Sequence, residues 1–172
     1  MEIAVVDYDP SWVARFEVER ADLARVLSPW LHGGIQHIGS TAVPGLAAKP
    51  ILDVMAGVRD LRSAAAAIPV LQRLTYGHAD HRPDALWFYK PASGGLRERT
   101  CQLHLTEPGS GLWRERLAFR DALRADAALA REYQDLKLRL RASTADLREY
   151  TAGKRAFVSA VLARCGIELA PR

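Results

Sequence analysis

Apolar positions recur along the chain with two different periods, which predicts both helices and strands. Between residues 12 and 30 they recur at spacings of four, seven, four and three, as on one face of an amphipathic helix. Residues 35–38 and 51–58 are short apolar runs bounded by turn residues, which indicates inner strands of a sheet. The pattern predicts an α+β (mixed α/β) fold with a small mixed sheet and packed helices.

Helical spacing returns in the C-terminal third of the chain, from residue 109 onward. Apolar residues line one helix over residues 112–123 and a second over residues 129–140. A third predicted helix covers residues 147–161, and Lys154 interrupts its apolar face. At 172 residues, the whole of 1–172 is expected to form one domain around one core.

A hairpin is predicted between these regions, because residues 86–89 and 98–106 flank a glycine-containing turn. Alternation along the second strand puts its polar residues on one face. This face is expected to contact solvent, and the alternative is that it faces a bound ligand. The residues of this polar face are Glu98, Thr100, Gln102, His104 and Thr106.

Residues 77–84 are predicted to form a polar loop, since Gly77 and Pro83 argue against a helix there. A metal site at His78 and His81 is disfavoured, because a histidine pair needs a third ligand and a fixed geometry.

Composition narrows the classes of partner. The formal net charge of +4 fits a small anionic ligand and is too weak to argue for nucleic acid. Cys101 and Cys165 are far apart and form no metal or disulfide pattern, which fits a reducing cytoplasm. No signal segment or apolar run long enough for a membrane span is present, so a cytoplasmic protein without membrane contact is expected.

Candidate chemistry is concentrated in residues 35–58. Gly39 and Ser40 follow the first short strand, and such a turn exposes backbone N–H groups that suit phosphate. Asp53 lies inside the next apolar run, where a carboxylate is costly unless it is paired, hydrogen-bonded or bound to a metal. The alternative is a buried acid satisfied by the backbone or by Lys49.

Residues 37–53 read HIGSTAVPGLAAKPILD, and further ordered motifs lie in residues 103–105, 108–113, 117–121, 133–137 and 150–158. This sequence resembles the GrpB (UPF0157) family of uncharacterised proteins over nearly its whole length. The resemblance implies a nucleotidyltransferase-like fold. In that fold a Gly-Ser turn is followed by a strand that carries two acids with one residue between them. These two acids hold two magnesium ions.

Asp53 stands at the first acidic position of that pattern, but Met55 stands at the second. Methionine does not ligate magnesium, which requires oxygen ligands. The resemblance therefore implies Mg²⁺ at Asp53, with a single-metal or metal-free site as the alternative. Glu98 and Glu107 are weaker options for the missing carboxylate.

The resemblance also implies roles for other residues. Gly39, Ser40, Thr41 and Lys49 are expected to bind a nucleotide. Asp53, His104 and Lys154 are expected to be catalytic.

His104 would help to position or deprotonate a substrate, and a purely hydrogen-bonded histidine is the alternative. Lys49 and Lys154 would neutralise phosphate charge. Contact of their ammonium groups with solvent is the default interpretation, and pairing with Asp53 is a further alternative. Arg120 and Arg148 are further possible phosphate contacts, but charge alone does not single them out.

Two functions follow from these expectations. The first is binding of a nucleotide or other phosphate ligand and transfer of a nucleotidyl group to a small acceptor. The alternative is a catalytically inactive binding module, with a ligand or partner in coenzyme A metabolism suggested by family members fused to a dephospho-coenzyme A kinase. Nucleic-acid binding through the basic helices is a weaker third hypothesis, and the P-loop, nucleophile-elbow and thiol-hydrolase patterns are not met.

Overall fold

The computed structural model describes residues 4–95 and 98–170. Its strands are β1 Leu31–Ile38, β2 Leu52–Val58, β3 Gly77–Arg82, β4 Ala85–Lys90 and β5 Cys101–Thr106. Its helices are α1 Ser11–Leu27, α2 Leu61–Ala64, α3 Ile68–Gln72, α4 Gly111–Ala125, α5 Ala127–Ser143, α6 Leu147–Gly153 and α7 Arg155–Arg164, with 3-10 turns at Ser40–Ala42 and Ala65–Ala67.

The described strands form a mixed sheet in the order β1-β2-β5-β4-β3. β2 and β5 are parallel, and the remaining neighbours are antiparallel. The register places Asp53 beside Ile38 of β1 and beside Gln102 of β5, while Met55 pairs with His104. Paired residues on neighbouring strands share a sheet face, so Asp53, Met55 and His104 lie on the same side. The α+β fold predicted from the sequence is confirmed.

The two faces of the sheet are covered by different helices. On one face, α1 and the segment 61–72 pack on the apolar residues of β2, β4 and β5, and the aromatic rings of Trp12 and Phe16 are buried there. On the other face, Met55 and Ile38 pack against Leu112 of α4. This second face is the one that carries Asp53.

The C-terminal helices hold the connection between β1 and β2. Val43 and Leu46 pack into an apolar cluster with α4, α5 and α7. The backbone N–H of Ala47 donates to the Gln134 side chain at 2.8 Å, and the Arg124 Nε donates to the carbonyl of Ala42, also at 2.8 Å. The helical third therefore fixes the backbone of the segment that contains the candidate site.

Two predicted elements are wrong. Residues 77–84 are not a loop: residues 77–82 form β3, an edge strand that pairs with β4, and Gly77 is needed where an added Cβ would lie 2.6 Å from the Tyr89 ring. The third C-terminal helix is divided, because α6 ends at Gly153 and α7 begins at Arg155. Lys154 lies at this junction.

The solvated interpretation of the polar face of β5 is also wrong. His104 and Thr106 are 4% and 0% exposed, and only the part of this face before the strand, at Glu98 and Thr100, is exposed. The α4 helix covers the same sheet face as His104, which explains why alternation alone misassigned it. The Thr106 hydroxyl donates to the carbonyl of Asp84 at 2.6 Å.

Candidate functional site

The Gly39–Ser40 turn packs directly on the side chain of Asp53. Gly39 has a φ of +73°, a conformation that favours glycine. A Cβ added to Gly39 would lie 2.9 Å from the Cβ of Asp53 and would overlap its carboxylate. Glycine at this position therefore serves two purposes, since it allows the backbone conformation and leaves room for the carboxylate.

Asp53 lies among basic side chains. Burial raises the pKa of its carboxyl group, and Arg116, Lys154 and Lys49 oppose this rise in that order of effect. Asp53 follows Leu52, which begins β2, while these basic groups come from α4, from the α6–α7 junction and from the loop before β2. The charges of Lys49 and Lys154 therefore act on Asp53, and the expected contact of both lysines with phosphate stays a prediction.

Lys49 and Lys154 share the ring of Tyr150. The Lys49 Nζ lies 4.4 Å from the ring centroid and the Lys154 Nζ lies 4.5 Å from it. The two ammonium nitrogens are therefore at most about 9 Å apart, within the range of cation–π attraction to one ring. Tyr150 is buried, and burial raises the pKa of its hydroxyl to about 12.

Lys137 of α5 is a further basic residue at this turn, and sequence reasoning missed it. Its side chain is 3% exposed, and its Nζ donates to the Ser40 Oγ at 3.2 Å and to the carbonyl of Ala47. Burial, followed in effect by the charge of Lys154, lowers the pKa of Lys137 to about 7. Its position four residues after Tyr133, on an inward helix stripe, is the signal that could have identified it.

Arg116 was also missed. It lies in α4 between the buried Leu112 and the partly buried Phe119, at helical spacing from both. Its buried Nε has no hydrogen-bond partner among the described residues, so this donor is available for a ligand.

Thr41 is buried within the turn itself. Its hydroxyl lies 3.0 Å from the Nε2 of His37 and donates to the carbonyl of Ile51 at 3.4 Å. Burial, and then the charges of Arg124 and Arg120, lower the pKa of His37 to about 4, so this ring is neutral at pH 7. The Thr41 side chain joins β1 to the start of β2, and its expected nucleotide contact stays a prediction.

His104 lies one strand away from Asp53, at the register position opposite Met55. Both residues are buried, and Met55 packs with Ile38, Ala85 and Leu112. The position that would carry the second acid in a two-metal site is therefore filled by core packing beneath α4. The expected catalytic role of His104 stays a prediction.

The weaker candidates from the sequence make contacts elsewhere or are exposed. Glu98 accepts a hydrogen bond from the backbone N–H of Gly95 in an exposed turn, and Glu107 accepts one from the N–H of Leu61. Arg120 donates to the side chain of Gln36 and to the carbonyl of His37. Arg148 is exposed in the first turn of α6. None of the four is needed to build the cluster around Asp53.

The donor set does not fit two magnesium ions. Among the described residues, no group of three or more His, Cys, Asp or Glu side chains could hold a metal ion. Asp53 instead has basic neighbours, which repel a divalent cation. Mg²⁺ at Asp53 stays a prediction.

None of the described helices has both the length and the hydrophobicity that crossing a membrane requires.

Two surface cavities, of about 360 and 640 Å³, are lined by other parts of the chain than the candidate site. The smaller lies beside α1 and Cys101, and the larger lies between α2 and the β3–β4 hairpin. The candidate site is thus defined by its charged side chains and by the turn.

Comparison with protein-family models matches residues 2–164 to the family described as GrpB protein. The chain belongs to the GrpB family. The resemblance read from residues 37–53 is thereby confirmed, and the match extends over both the sheet and the C-terminal helices. The whole candidate site lies within the family match.

Similar proteins agree with this assignment. A UPF0157 protein of Halalkalibacterium halodurans is 36% identical over 86 residues, which are 50% of this chain and 43% of that protein. The match thus spans less than half the length of that curated relative. The crystal structure of conserved protein GrpB from Enterococcus faecalis is 30% identical, with a TM-score of 0.83, and the match covers 94% of this chain and 96% of that one.

A chain from the structure of the GLD-2/RNP-8 complex is also similar, with a TM-score of 0.52. The match covers 96% of this chain and 64% of that chain at 16% identity. This likeness is one of fold alone.

Proposed function

We propose that this GrpB-family protein binds the phosphate groups of a nucleotide, or of another small phosphorylated molecule, at the Gly39–Ser40 turn. The observation that carries the proposal is the convergence of basic side chains on this turn and on Asp53. Among the described residues these are Lys49, Arg116, Lys137 and Lys154. We refer to them as the basic cluster.

Burial makes the basic cluster costly without an anion. Desolvation lowers the pKa values of both Lys49 and Lys137, which shows that their charged forms are poorly compensated inside the protein. The carboxylate of Asp53 offsets only part of this charge. A phosphate group supplies negative charge and acceptor oxygens for ammonium and guanidinium donors, which would compensate the cluster.

Simple exposure of the lysines to solvent fits the geometry less well. The ammonium groups of Lys49 and Lys154 lie over the ring of Tyr150, and that of Lys137 is enclosed between Ser40 and Ala47. Side chains that only carry their charge out to water would not converge on a partly buried carboxylate. Convergence of this kind favours a bound anion.

Nucleotidyl transfer to a small acceptor is a second candidate function, favoured by the nucleotidyltransferase-like fold that the resemblance to the GrpB family implies. In such a reaction Lys49 and Lys154 would neutralise phosphate charge, and His104 would help to position or deprotonate the acceptor. The replacement of the second acid by the buried Met55 favours binding without transfer. A binding module for a phosphorylated ligand, including one of coenzyme A metabolism, is therefore the simpler proposal.

Thermal unfolding against a panel of nucleotides and coenzyme A, with Mg²⁺ or with EDTA, tests both functions. A ligand at 100 times its Kd stabilises the folded protein by about 2.7 kcal/mol, which raises Tm by several degrees. A shift that persists in EDTA supports phosphate binding, and a shift that requires Mg²⁺ supports the transferase. No shift with any compound would refute the proposed site.

Two variants make the test specific to the basic cluster. Lys154→Gln is expected to reduce the ligand-induced shift, because it removes one of the charges near Asp53. Arg139→Gln is the matched control, since Arg139 is an exposed cation on α5 and its loss changes the net charge equally. An equal reduction of the ligand-induced Tm shift in both variants would show that overall charge, and not the basic cluster, attracts the ligand. A short oligonucleotide titrated at rising salt tests the nucleic-acid hypothesis separately.

A further inference from the structure

Lys137 contacts the candidate site from behind Ser40. It is almost fully buried, and its Nζ donates to the Ser40 Oγ and to the carbonyl of Ala47. Its ammonium group also lies 4.9 Å from the ring centroid of Tyr133. With so little exposed surface, Lys137 is placed to act on a ligand through Ser40, which is itself only partly buried.

The protonation state of Lys137 decides what the Ser40 hydroxyl can do. A protonated lysine has three donors and no acceptor, so the Ser40 oxygen must accept from it. The hydrogen of Ser40 is then available for another acceptor. A neutral lysine has a lone pair, and the Ser40 hydroxyl can donate to that lone pair instead.

We propose that Lys137 is a positioning residue that makes the Ser40 hydroxyl a phosphate donor only while Lys137 holds its proton, so that ligand binding takes up about one proton. The proposal rests on phosphate binding at the Gly39–Ser40 turn. It assigns the site to a ligand with a terminal, doubly charged phosphate, bound without a metal ion. Lys154 and the Ser40 hydroxyl would contact that group, and Lys137 would act on it through Ser40.

The surroundings of Lys137 favour loss of its proton when no anion is bound. Burial and the charge of Lys154 lower its pKa to about 7, so much of the population is neutral in mildly alkaline solution. The other charged or titratable groups of the site are Lys49 and Asp53 beside β2, Arg116 on α4, Tyr133 on α5 and Tyr150 on α6. A dianion placed beside Ser40 would favour the charged form again.

Tyr133 lies beside the same group. Its ring is buried, and the Lys137 Nζ lies 4.9 Å from the ring centroid. Burial raises the pKa of the Tyr133 hydroxyl, and the Ser40 side chain counters part of this rise, so Tyr133 stays neutral over the pH range of the experiment. The Lys137 ammonium therefore has an uncharged aromatic neighbour on its own helix.

Isothermal titration calorimetry between pH 7 and pH 9 tests the proposal, with ATP in EDTA as the first probe and sulfate as the second. Sulfate stays a dianion across this range, so a pH effect seen with both probes belongs to the protein. For the wild-type protein, the affinity is expected to fall about tenfold between pH 8 and pH 9. Titrations at pH 8 in buffers of different ionisation enthalpy are expected to show uptake of nearly one proton per ligand.

Variants separate the positioning role from a structural one. Lys137→Arg keeps the charge at every pH of the experiment, so its affinity is expected to change less than twofold between pH 7 and pH 9. Ser40→Ala is expected to bind weakly with a flat pH profile, whereas Arg139→Gln should retain the wild-type profile. Circular dichroism confirms that each variant is folded, and the proton-uptake measurement on the wild-type protein needs no variant.

Three outcomes overturn the inference. Binding without proton uptake would exclude a role for the Lys137 proton. A steep pH profile that persists in Ser40→Ala would show that Lys137 acts through charge alone. The absence of binding by either probe at every pH would refute the proposed function itself, and this result is distinct from binding that does not depend on pH.

Discussion

The stability of the folded protein should depend on pH through Lys137, and Lys137→Met isolates this dependence. The ammonium group of Lys137 is enclosed by protein atoms and lies near Lys154. Methionine is of similar length and cannot ionise, so the variant removes the titration while it fills most of the space. The lost hydrogen bonds to Ser40 and Ala47 change the free energy of unfolding by an amount that does not depend on pH above about pH 7.

The magnitude follows from the pKa of Lys137, which falls from 10.5 to about 7 on folding. A tenfold change in an ionisation constant corresponds to about 1.4 kcal/mol, so the full effect is roughly 5 kcal/mol. Because the pKa is lower in the folded state, the unfolded chain holds more protons between these two values. The free energy of unfolding therefore rises with pH in this window, and the protonated lysine is destabilising below it.

Urea unfolding at pH 7, 8 and 9 measures the effect, with Arg139→Gln as the control for removal of a cation from α5. The difference in stability between wild type and Lys137→Met should shift by about 1.4 kcal/mol in favour of wild type from pH 8 to pH 9. The control should show no such shift, because Arg139 is exposed. A difference between wild type and Lys137→Met that is constant across the three pH values would refute the reasoning.

Three other predictions concern the turn and the strand of Asp53. Gly39→Ala should destabilise the protein by more than Gly45→Ala, because both residues have positive φ but only at Gly39 would the new Cβ meet another side chain. Equal losses of unfolding free energy in urea would contradict this prediction. Met55→Asp should lower the free energy of unfolding by about 3 kcal/mol or more and create no metal site, while Met55→Leu should lower it by less than about 1.5 kcal/mol. Tighter Mg²⁺ binding by the aspartate variant in calorimetry would disprove the prediction. Asp53→Asn should strengthen ATP binding in EDTA several-fold by removing a negative charge, and weaker binding would instead assign Asp53 to the ligand contacts.

Much of the fold could be predicted because its strands and helices carry strong local patterns. The runs around Ile38 and Val54 have turn residues at their ends, and the face of α1 that includes Trp12 repeats at helical spacing. The turn at Gly39 and the acid at Asp53 were found for the same reason, since both stand in a short motif.

The errors arose where tertiary packing overrides the local pattern. β3 has a polar sequence with no apolar alternation, and it is a strand because it pairs with β4 along the edge of the sheet. His104 was expected on a solvated face, but the α4 helix covers that face. Lys137 and Arg116 lie far along the chain from Asp53, and only the packing of α4 and α5 brings them to the site.

The buried Met55 and the basic cluster have a common physical explanation. A site that binds phosphate through two metal ions needs acids to hold those ions, and the ions then supply the positive charge. In this chain the second acidic position is part of the core, and lysine and arginine side chains supply positive charge around Asp53 directly. A metal ion keeps its charge at every physiological pH, whereas a buried lysine can lose its proton. The ligand affinity of a phosphate site built in this way should therefore depend on pH, whereas that of a two-metal site would depend on Mg²⁺. Affinities measured in EDTA and at alkaline pH distinguish the two kinds of site.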